Sequence, residues 1–417
     1  MKSYLLKCGK LYDGIRDELQ NEMQILVKDD KIAAVGKDLE IPAGTEVIDL
    51  SNVTVTPGLI DAHVHPDFVD LNGNFQDRLL ATDNWRTMAT LYCANKTLRR
   101  GFTTIRAMGT FRSSSYVLVD AKRAIDEGWM EGSRLVVSQG LATTGSHGDM
   151  TTSFRKNPQL CDFLEDSYLS VGNGADFFRR EVRKQKKYDC DFIKIMATGG
   201  FASPNDSPED QQLSDEELEA IIGTARELRM TVTAHAYTPK LMQNLIRLGI
   251  NGIEHGSMMD EDTARLMEES GTYLVPTFSP FNEIIRVDEE AMAKKPIAFQ
   301  RKLRQYAQRM IDGRQVIVNS KIKLGYGTDF VAVHNNYECG YEYESMFLSG
   351  MDPFRILKAA TSVNAEILER DDIGTIEVGK KADISAWSRD LLTDPKALLD
   401  CAFVMKDGVI YPTEKVE

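Results

Sequence analysis

Two periodicities alternate along the chain. Between residues 59 and 329, short apolar runs that end in polar side chains are separated by longer stretches whose apolar positions recur at helical spacing. The short runs are LIDAHVH (59–65), TTIRA (103–107), RLVVSQ (134–139), DFIKIMA (191–197), TVTAH (231–235), GIEH (252–255), TYLVPT (272–277) and KLGYGTD (323–329), eight in all. Near-continuous apolar strands joined by helices are the pattern of a parallel sheet covered on both faces. The helical stretches carry their own signals. Ser214 and Glu217 form a capping box ahead of Leu218, Ile221, Ile222 and Ala225, Asp260 caps a helix that Gly271 ends, and residues 298–320 are long and amphipathic.

The two ends read differently. SYLLKCGKLYDG, MQILVKDDKIAAVG and EVIDLSNVTVTPG open the chain, and KKADISAWS and CAFVMKDGVIYP return near its end, all β-rich with Gly and Asp turns. This predicts a small β-sandwich module built from 1–57 and 378–417, flanking a central domain at 58–377. A chain of 417 residues is long enough for both. Eight βα units in series, with no glycine-rich dinucleotide fingerprint after the first strand, predict an α/β fold of the (β/α)8 TIM-barrel type and not an open doubly wound sheet. Barrel chemistry gathers at the C-terminal ends of the strands.

That expectation gives meaning to the histidines, of which the chain has six. In PGLIDAHVHP, His63 and His65 are two apart on a strand and face one side. Alone, such a pair is either two satisfied polar residues or half a metal site. His235 ends the fifth strand, His255 the sixth and Asp329 the eighth, while Lys194 lies in the fourth with Phe192 and Met196 as its same-face neighbours. Four imidazoles, a carboxylate and a lysine exceed what one tetrahedral zinc takes and suit two metals. A buried lysine loses its proton readily, and its amine then reacts with CO2 to give a carbamate able to bridge two cations.

Charge and cysteines narrow the class. A net charge of −13 argues against nonspecific binding to nucleic acid or an anionic membrane and hints at most at cationic substrates. Six scattered cysteines without a CxxC pair fit reduced thiols, and MKSYLLKCGKLYDG has no apolar leader, so the expectation is a soluble cytoplasmic protein without membrane spans.

HVH, the IK of FIKIM, AHAY, IEHG and GTD together resemble the amidohydrolase superfamily over nearly the whole chain. RRGFTTIR (99–106), TTGSHGD (143–149), IKIMATGGFASP (193–204) and TAHAYTP (233–239) are similar to its imidazolonepropionase-like branch, which contains zinc-dependent dipeptidases, the prolidases and Xaa-Arg or Xaa-Lys carboxypeptidases. Ser146 and Ala107 depart from that pattern, where relatives usually have Gly and Asp. The resemblance implies that His63, His65 and Asp329 hold one zinc or similar divalent ion, that His235 and His255 hold the other, and that carboxylated Lys194 bridges them around a shared hydroxide. It further implies Asp329 as the proton carrier, His147 and Tyr237 as donors to the reacting oxygen or a substrate carboxylate, and Arg106 as a further carboxylate anchor. Gly199 and Gly200 would let backbone amides approach the substrate; His334 is assigned no role.

The implied activity is hydrolysis of dipeptides or small peptides by a homo-oligomer. Hydrolysis of another amide or cyclic amide, of imidazolonepropionase, ochratoxin or phenylurea type, is the alternative. Mononuclear versions lack the bridging lysine, and a non-enzymatic relative would have lost ligands that are all present here.

Overall fold

The computed structural model describes residues 2–415 apart from 69–79, 111–114, 166–170, 202, 204, 283–288, 294–296 and 331–333. Ala202 and Pro204 of the motif at 193–204 therefore lie outside the described residues. The chain begins with β1 (Ser3–Leu11), β2 (Gln20–Asn21), β3 (Gln24–Lys28), β4 (Lys31–Gly36) and β5 (Glu46–Pro57). β5 runs through Gly58 straight into β6 (Leu59–Val64), the first of seven short parallel strands. The others are β7 (Phe102–Ala107), β8 (Arg134–Val137), β9 (Ile193–Met196), β10 (Val232–Ala236), β11 (Gly252–His255) and β12 (Tyr273–Val275). Every residue of these seven strands is buried, as near-continuous apolar runs covered by helices require. The chain ends with β13 (Ile384–Trp387), β14 (Cys401–Lys406) and β15 (Val409–Tyr411).

The parallel strands form two sheets, β6-β7-β8 and β12-β11-β10-β9. Backbone bonds continue past each end. Leu141 N donates to Lys194 O at 2.8 Å and Met196 N to Leu141 O at 3.1 Å, so the segment after β8 reaches β9. On the other side, Gly325 N donates to Leu274 O at 2.7 Å, Ala62 N to Tyr326 O at 2.8 Å and Asp329 N to His63 O at 2.8 Å. Residues 323–329, predicted as the eighth strand, thus bond to both β12 and β6, but only Leu324 forms a β-bridge. Side chains take over what a regular ladder would supply. Asn364 Oδ1 accepts from Tyr326 N at 3.1 Å, and Asp61 Oδ1 accepts from Thr328 N at 3.2 Å. The segment also runs too close to its neighbours for side chains: a Cβ on Gly327 would stand 2.6 Å from both His63 Cβ and Val275 Cγ1.

The helices match their signals. Ser214 and Glu217 make both bonds of the capping box on Asp215–Glu227, Asp260 caps Glu261–Ser270 with Gly271 left-handed at its end, and Ile297–Asn319 is the long helix. No described helix is long and apolar enough to cross a membrane.

The sequence predicts a terminal β-sandwich; the described strands of both ends form one continuous eight-stranded sheet, ordered β15-β14-β13-β5-β1-β3-β4 with β2 on β1. Buried Arg134 of β8 ties this sheet to the parallel strands. Its Nη1 donates to Asp383 Oδ2 and its Nη2 to Asp407 Oδ1, both at 2.8 Å. Removing one partner from a buried ion pair strands the other's charge, so Arg134→Met should destabilise the protein by about 3–5 kcal/mol. Denaturant unfolding measures this, and an unchanged midpoint would refute the tie.

Candidate metal centre

The strand ends bring the predicted donors around one carboxylate. His63 Nε2 lies 3.3 Å and His65 Nε2 3.5 Å from Asp329 Oδ1, while His255 Nδ1 lies 3.8 Å from Asp329 Oδ2. His63, His255 and Asp329 each offer a ligand atom within 4.8 Å of the others, a group that could hold a metal ion. The His235 ring centroid is 4.7 Å from that of His255. His63 and His65 share a side as the period of two demands. His255 breaks that period, because it and its strand neighbour Glu254 both reach His63. The backbone explains how: His255 has φ +70°, Thr277 +45° and Asp329 +50°. Such conformations are strained, most of all for β-branched Thr, and persist where the surroundings over-determine them. Thr277 Oγ1 sits 2.7 Å from His255 Nδ1 and fixes that ring.

Beneath the rim lies a buried carboxylate that the sequence reading did not single out. Glu254 accepts from His63 Nδ1 at 2.6 Å, Arg106 Nη2 at 2.7 Å and Thr233 Oγ1 at 2.5 Å. Its bond to Nδ1 leaves His63 Nε2 facing Asp329, the carboxylate–histidine arrangement that orients metal ligands. Burial by itself would raise the Glu254 pKa, but Arg106, His63 and Lys194 outweigh it and hold the group at about 2.

Arg106 accordingly departs from its expected role as a substrate anchor. Its guanidinium is buried and committed to Glu254, Tyr273 Oη at 2.8 Å and Ala62 O at 2.7 Å. Although it stands next to the C-terminal end of β7, its side chain turns inward to the buried Glu254 and Tyr273 and away from solvent, which is the reason. Glu254, like Asp61, carries the signal that marked Lys194: a charged residue within an apolar strand.

Lys194 is fully buried, and among the described residues its Nζ has no hydrogen-bond partner. Burial lowers its pKa to about 8, against the opposing pull of Glu254 and Asp329. Burial also lowers His65 to about 3 and takes His235 and His255 well below their ordinary value, which leaves neutral imidazoles, the ligand form. Asp329 is held at about 2: burial opposes this, and His63 and His65 override it. Neutral nitrogen donors, an ionised carboxylate and an unpartnered amine fit divalent cations.

Around this group stand the residues expected to meet the substrate. His147 stacks on His235 with centroids 4.6 Å apart, and Tyr237 lies edge-on to His235 and stacks on His255. Burial, with Asp329 and Asp206 nearby, raises the Tyr237 pKa well above the ordinary phenol value, so it is a neutral donor. The amides of Gly199 and Gly200 do not await a substrate, since they donate to Asp210 O at 3.1 Å and Asp206 Oδ2 at 3.2 Å. Gly200 serves closeness instead: a Cβ there would stand 2.2 Å from the His147 ring. His334 stacks on Tyr341 in the loop beyond Asp329.

The sequence pattern of the amidohydrolase family matches residues 54–413, and the chain belongs to that family, whose members generally bind divalent metals and act on small molecules. Ochratoxinase from Aspergillus niger is 27% identical over 431 residues, spanning 98% of this chain and 87% of the relative. The solved structure of a Xaa-Pro dipeptidase with methionine in its active site is 28% identical, with a TM-score of 0.84 over 98% of this chain and 100% of that one. A prolidase complexed with N-methylphosphonate-L-proline is 27% identical, with a TM-score of 0.85 over 99% of this chain and 100% of that one. The α/β fold is the one these hydrolases share.

Glu254→Gln should weaken metal binding about 10–100-fold, as loss of a ligand-orienting carboxylate does, measured by competition with a chelator. The same variant has a pH signature. With a folded pKa of about 2 against the ordinary 4.5, Glu254 contributes stability that is complete above 4.5 and is lost as pH falls towards 2. The metal-free wild type should therefore lose stability across that window more steeply than Glu254→Gln; parallel acid limbs would contradict the assignment.

Proposed function

We propose that this chain is a binuclear metal-dependent hydrolase that cleaves the peptide bond of dipeptides in the manner of a prolidase. The observation that carries the reading is the convergence of four imidazoles and Asp329 near a fully buried lysine amine that has no hydrogen-bond partner among the described residues. In this reading residues 58–377 form one closed (β/α)8 barrel through the segments 138–142 and 323–329, and 1–57 with 378–417 form the β-module. His63, His65 and Asp329 would hold one zinc or similar ion, His235 and His255 the other, with carboxylated Lys194 between them. Cations held there polarise a scissile carbonyl and make water nucleophilic near neutral pH.

The protein's own groups do the rest. Asp329 is ionised at any working pH, directs Oδ1 at His63 and His65, and keeps Oδ2 to carry a proton from the attacking water to the leaving amine. Tyr237 donates its phenol hydrogen to the oxyanion that develops on the carbonyl. His147 contacts the substrate from the loop after β8. None of the six cysteines forms a disulfide, which fits a reducing, cytoplasmic setting.

The ochratoxinase relative and the commitment of Arg106 to Glu254 support a second reading, hydrolysis of a different amide at the same site.

A panel of Xaa-Pro, Xaa-Arg, Xaa-Lys and other dipeptides, assayed beside metal analysis of the same sample, separates the readings. The expectation is two metals per chain, turnover of at least one dipeptide class, and loss of activity on chelation. Asp329→Asn should fold normally and lose about 10²–10⁴-fold in kcat, the range for a positioned proton carrier. Two bound metals without dipeptide turnover would favour the second reading; wild-type turnover by Asp329→Asn would remove the mechanism.

A further inference from the structure

Lys302 lies near the start of helix Ile297–Asn319, about a hundred residues beyond the loop after β9. It is only 8% exposed. Its ammonium donates three hydrogen bonds into the loop after β9: to Gly200 O at 2.6 Å, Ser203 O at 2.6 Å and Asp206 Oδ1 at 2.7 Å. Asp206 Oδ1 also accepts the Ser203 hydroxyl at 2.5 Å. A hydroxyl has one hydrogen to give. With that hydrogen on Asp206, Ser203 Oγ is an acceptor towards His147 Nδ1, 2.8 Å away. The neutral ring therefore carries its hydrogen on Nδ1, and Nε2 is the nitrogen left for a substrate.

A simple staple for the loop would not need this chain of bonds. From the same face of the helix, Tyr306 Oη sits 2.9 Å from Ser207 Oγ and Arg309 Nη1 donates to Glu209 Oε1 at 2.6 Å, and both already fasten the loop. A buried ammonium–carboxylate pair is a costly way to duplicate them, because both ions lose their water. What it adds is direction, in the way that groups behind a reactive side chain set its pose and tautomer.

We propose that Lys302 is a positioning residue for His147, acting through Asp206 and Ser203. This rests on the reading of His147 as a group that meets the substrate. The helix following β12 then governs how the loop after β8 presents its imidazole, linking three separate βα loops at the site.

The test uses the full-length, zinc-loaded enzyme and the best dipeptide of the panel, with His147→Ala, Lys302→Met, Ser203→Ala and the double variant Lys302→Met/His147→Ala. Lys302→Met and Ser203→Ala should raise KM about tenfold, with kcat within about threefold and metal content unchanged. The double variant should be no worse than His147→Ala alone, because both changes act through one ring. In protein labelled with 15N-histidine, the His147 Nδ1–H signal of the wild type should be lost or shifted in both single variants.

That spectrum is read without substrate, so it judges the link even where no dipeptide turns over. Wild-type imidazole signals in both variants, or a Lys302→Met effect that multiplies with His147→Ala, would overturn the proposal. An unchanged KM in His147→Ala overturns the reading of His147 itself, whereas a raised KM there beside an unchanged KM in Lys302→Met overturns only the part given to Lys302. Should Lys302→Met not fold, Ser203→Ala, which removes a single oxygen, carries the same comparisons.

Discussion

The site depends on the buried carboxylate of Glu254. It receives an imidazole N–H, a guanidinium and a hydroxyl at once, and no two of these come from the same strand: His63 lies on β6, Arg106 on β7 and Thr233 on β10. A carboxylate this deep is tolerable only when paired and fully hydrogen-bonded. Arg106 supplies the charge, and its own guanidinium is anchored by Tyr273 and Ala62 O. The order of dependence runs upward from there. Arg106 keeps Glu254 ionised, Glu254 fixes the His63 ring, and His63 with His65 flanks Asp329 above.

Above this layer the backbone itself is shaped for the purpose. His255 and Asp329 adopt left-handed conformations that L-residues avoid, and their side chains meet, with His255 Nδ1 3.8 Å from Asp329 Oδ2. Each such residue costs of order 1–3 kcal/mol. The unpartnered Lys194 amine adds a desolvation cost of similar size. The surroundings offset these terms with ties elsewhere. Asp61 bonds Thr328 from below, Asn364 holds Tyr326 and Ile60, and Asn336 holds His65 O. The strands that carry the histidines are thus held by side chains where ladder bonds give out.

The division between what was legible in the sequence and what was not follows the same line. LIDAHVH and the capping box at Ser214 obey short-range periodicities, and the structure places them where those rules put them; GIEH is the strand expected, but its last residue, His255, leaves the period. KLGYGTD has the look of a short apolar run ending in a polar residue, yet Gly325, Gly327 and the intruding side chains of Asp61 and Asn364 replace the ladder with contacts from far away in sequence, which no local pattern records. Arg106 was misread for a related reason: strand position gives a face but not a depth, and depth decides whether a charge meets solvent or another buried charge. Glu254 shows the converse. Its setting in a fully buried apolar strand carries the same signal as that of Lys194.

These features imply a division of labour between the two charged layers. The lower layer, Arg106 with Glu254, bonds only to protein groups and is sealed from solvent, so its task is to hold His63 in one orientation whatever occupies the mouth. The upper network joins Lys302 of a helix to Asp206 in the loop after β9, and loops are where members of one fold differ in substrate. A rigid layer beneath the ligands with an adjustable one above lets the loops change the substrate without disturbing the ligand set. Under the proposed function, the amide bond cleaved would be decided by groups such as His147 and those that orient it, while the capacity to hold cations would be decided below them.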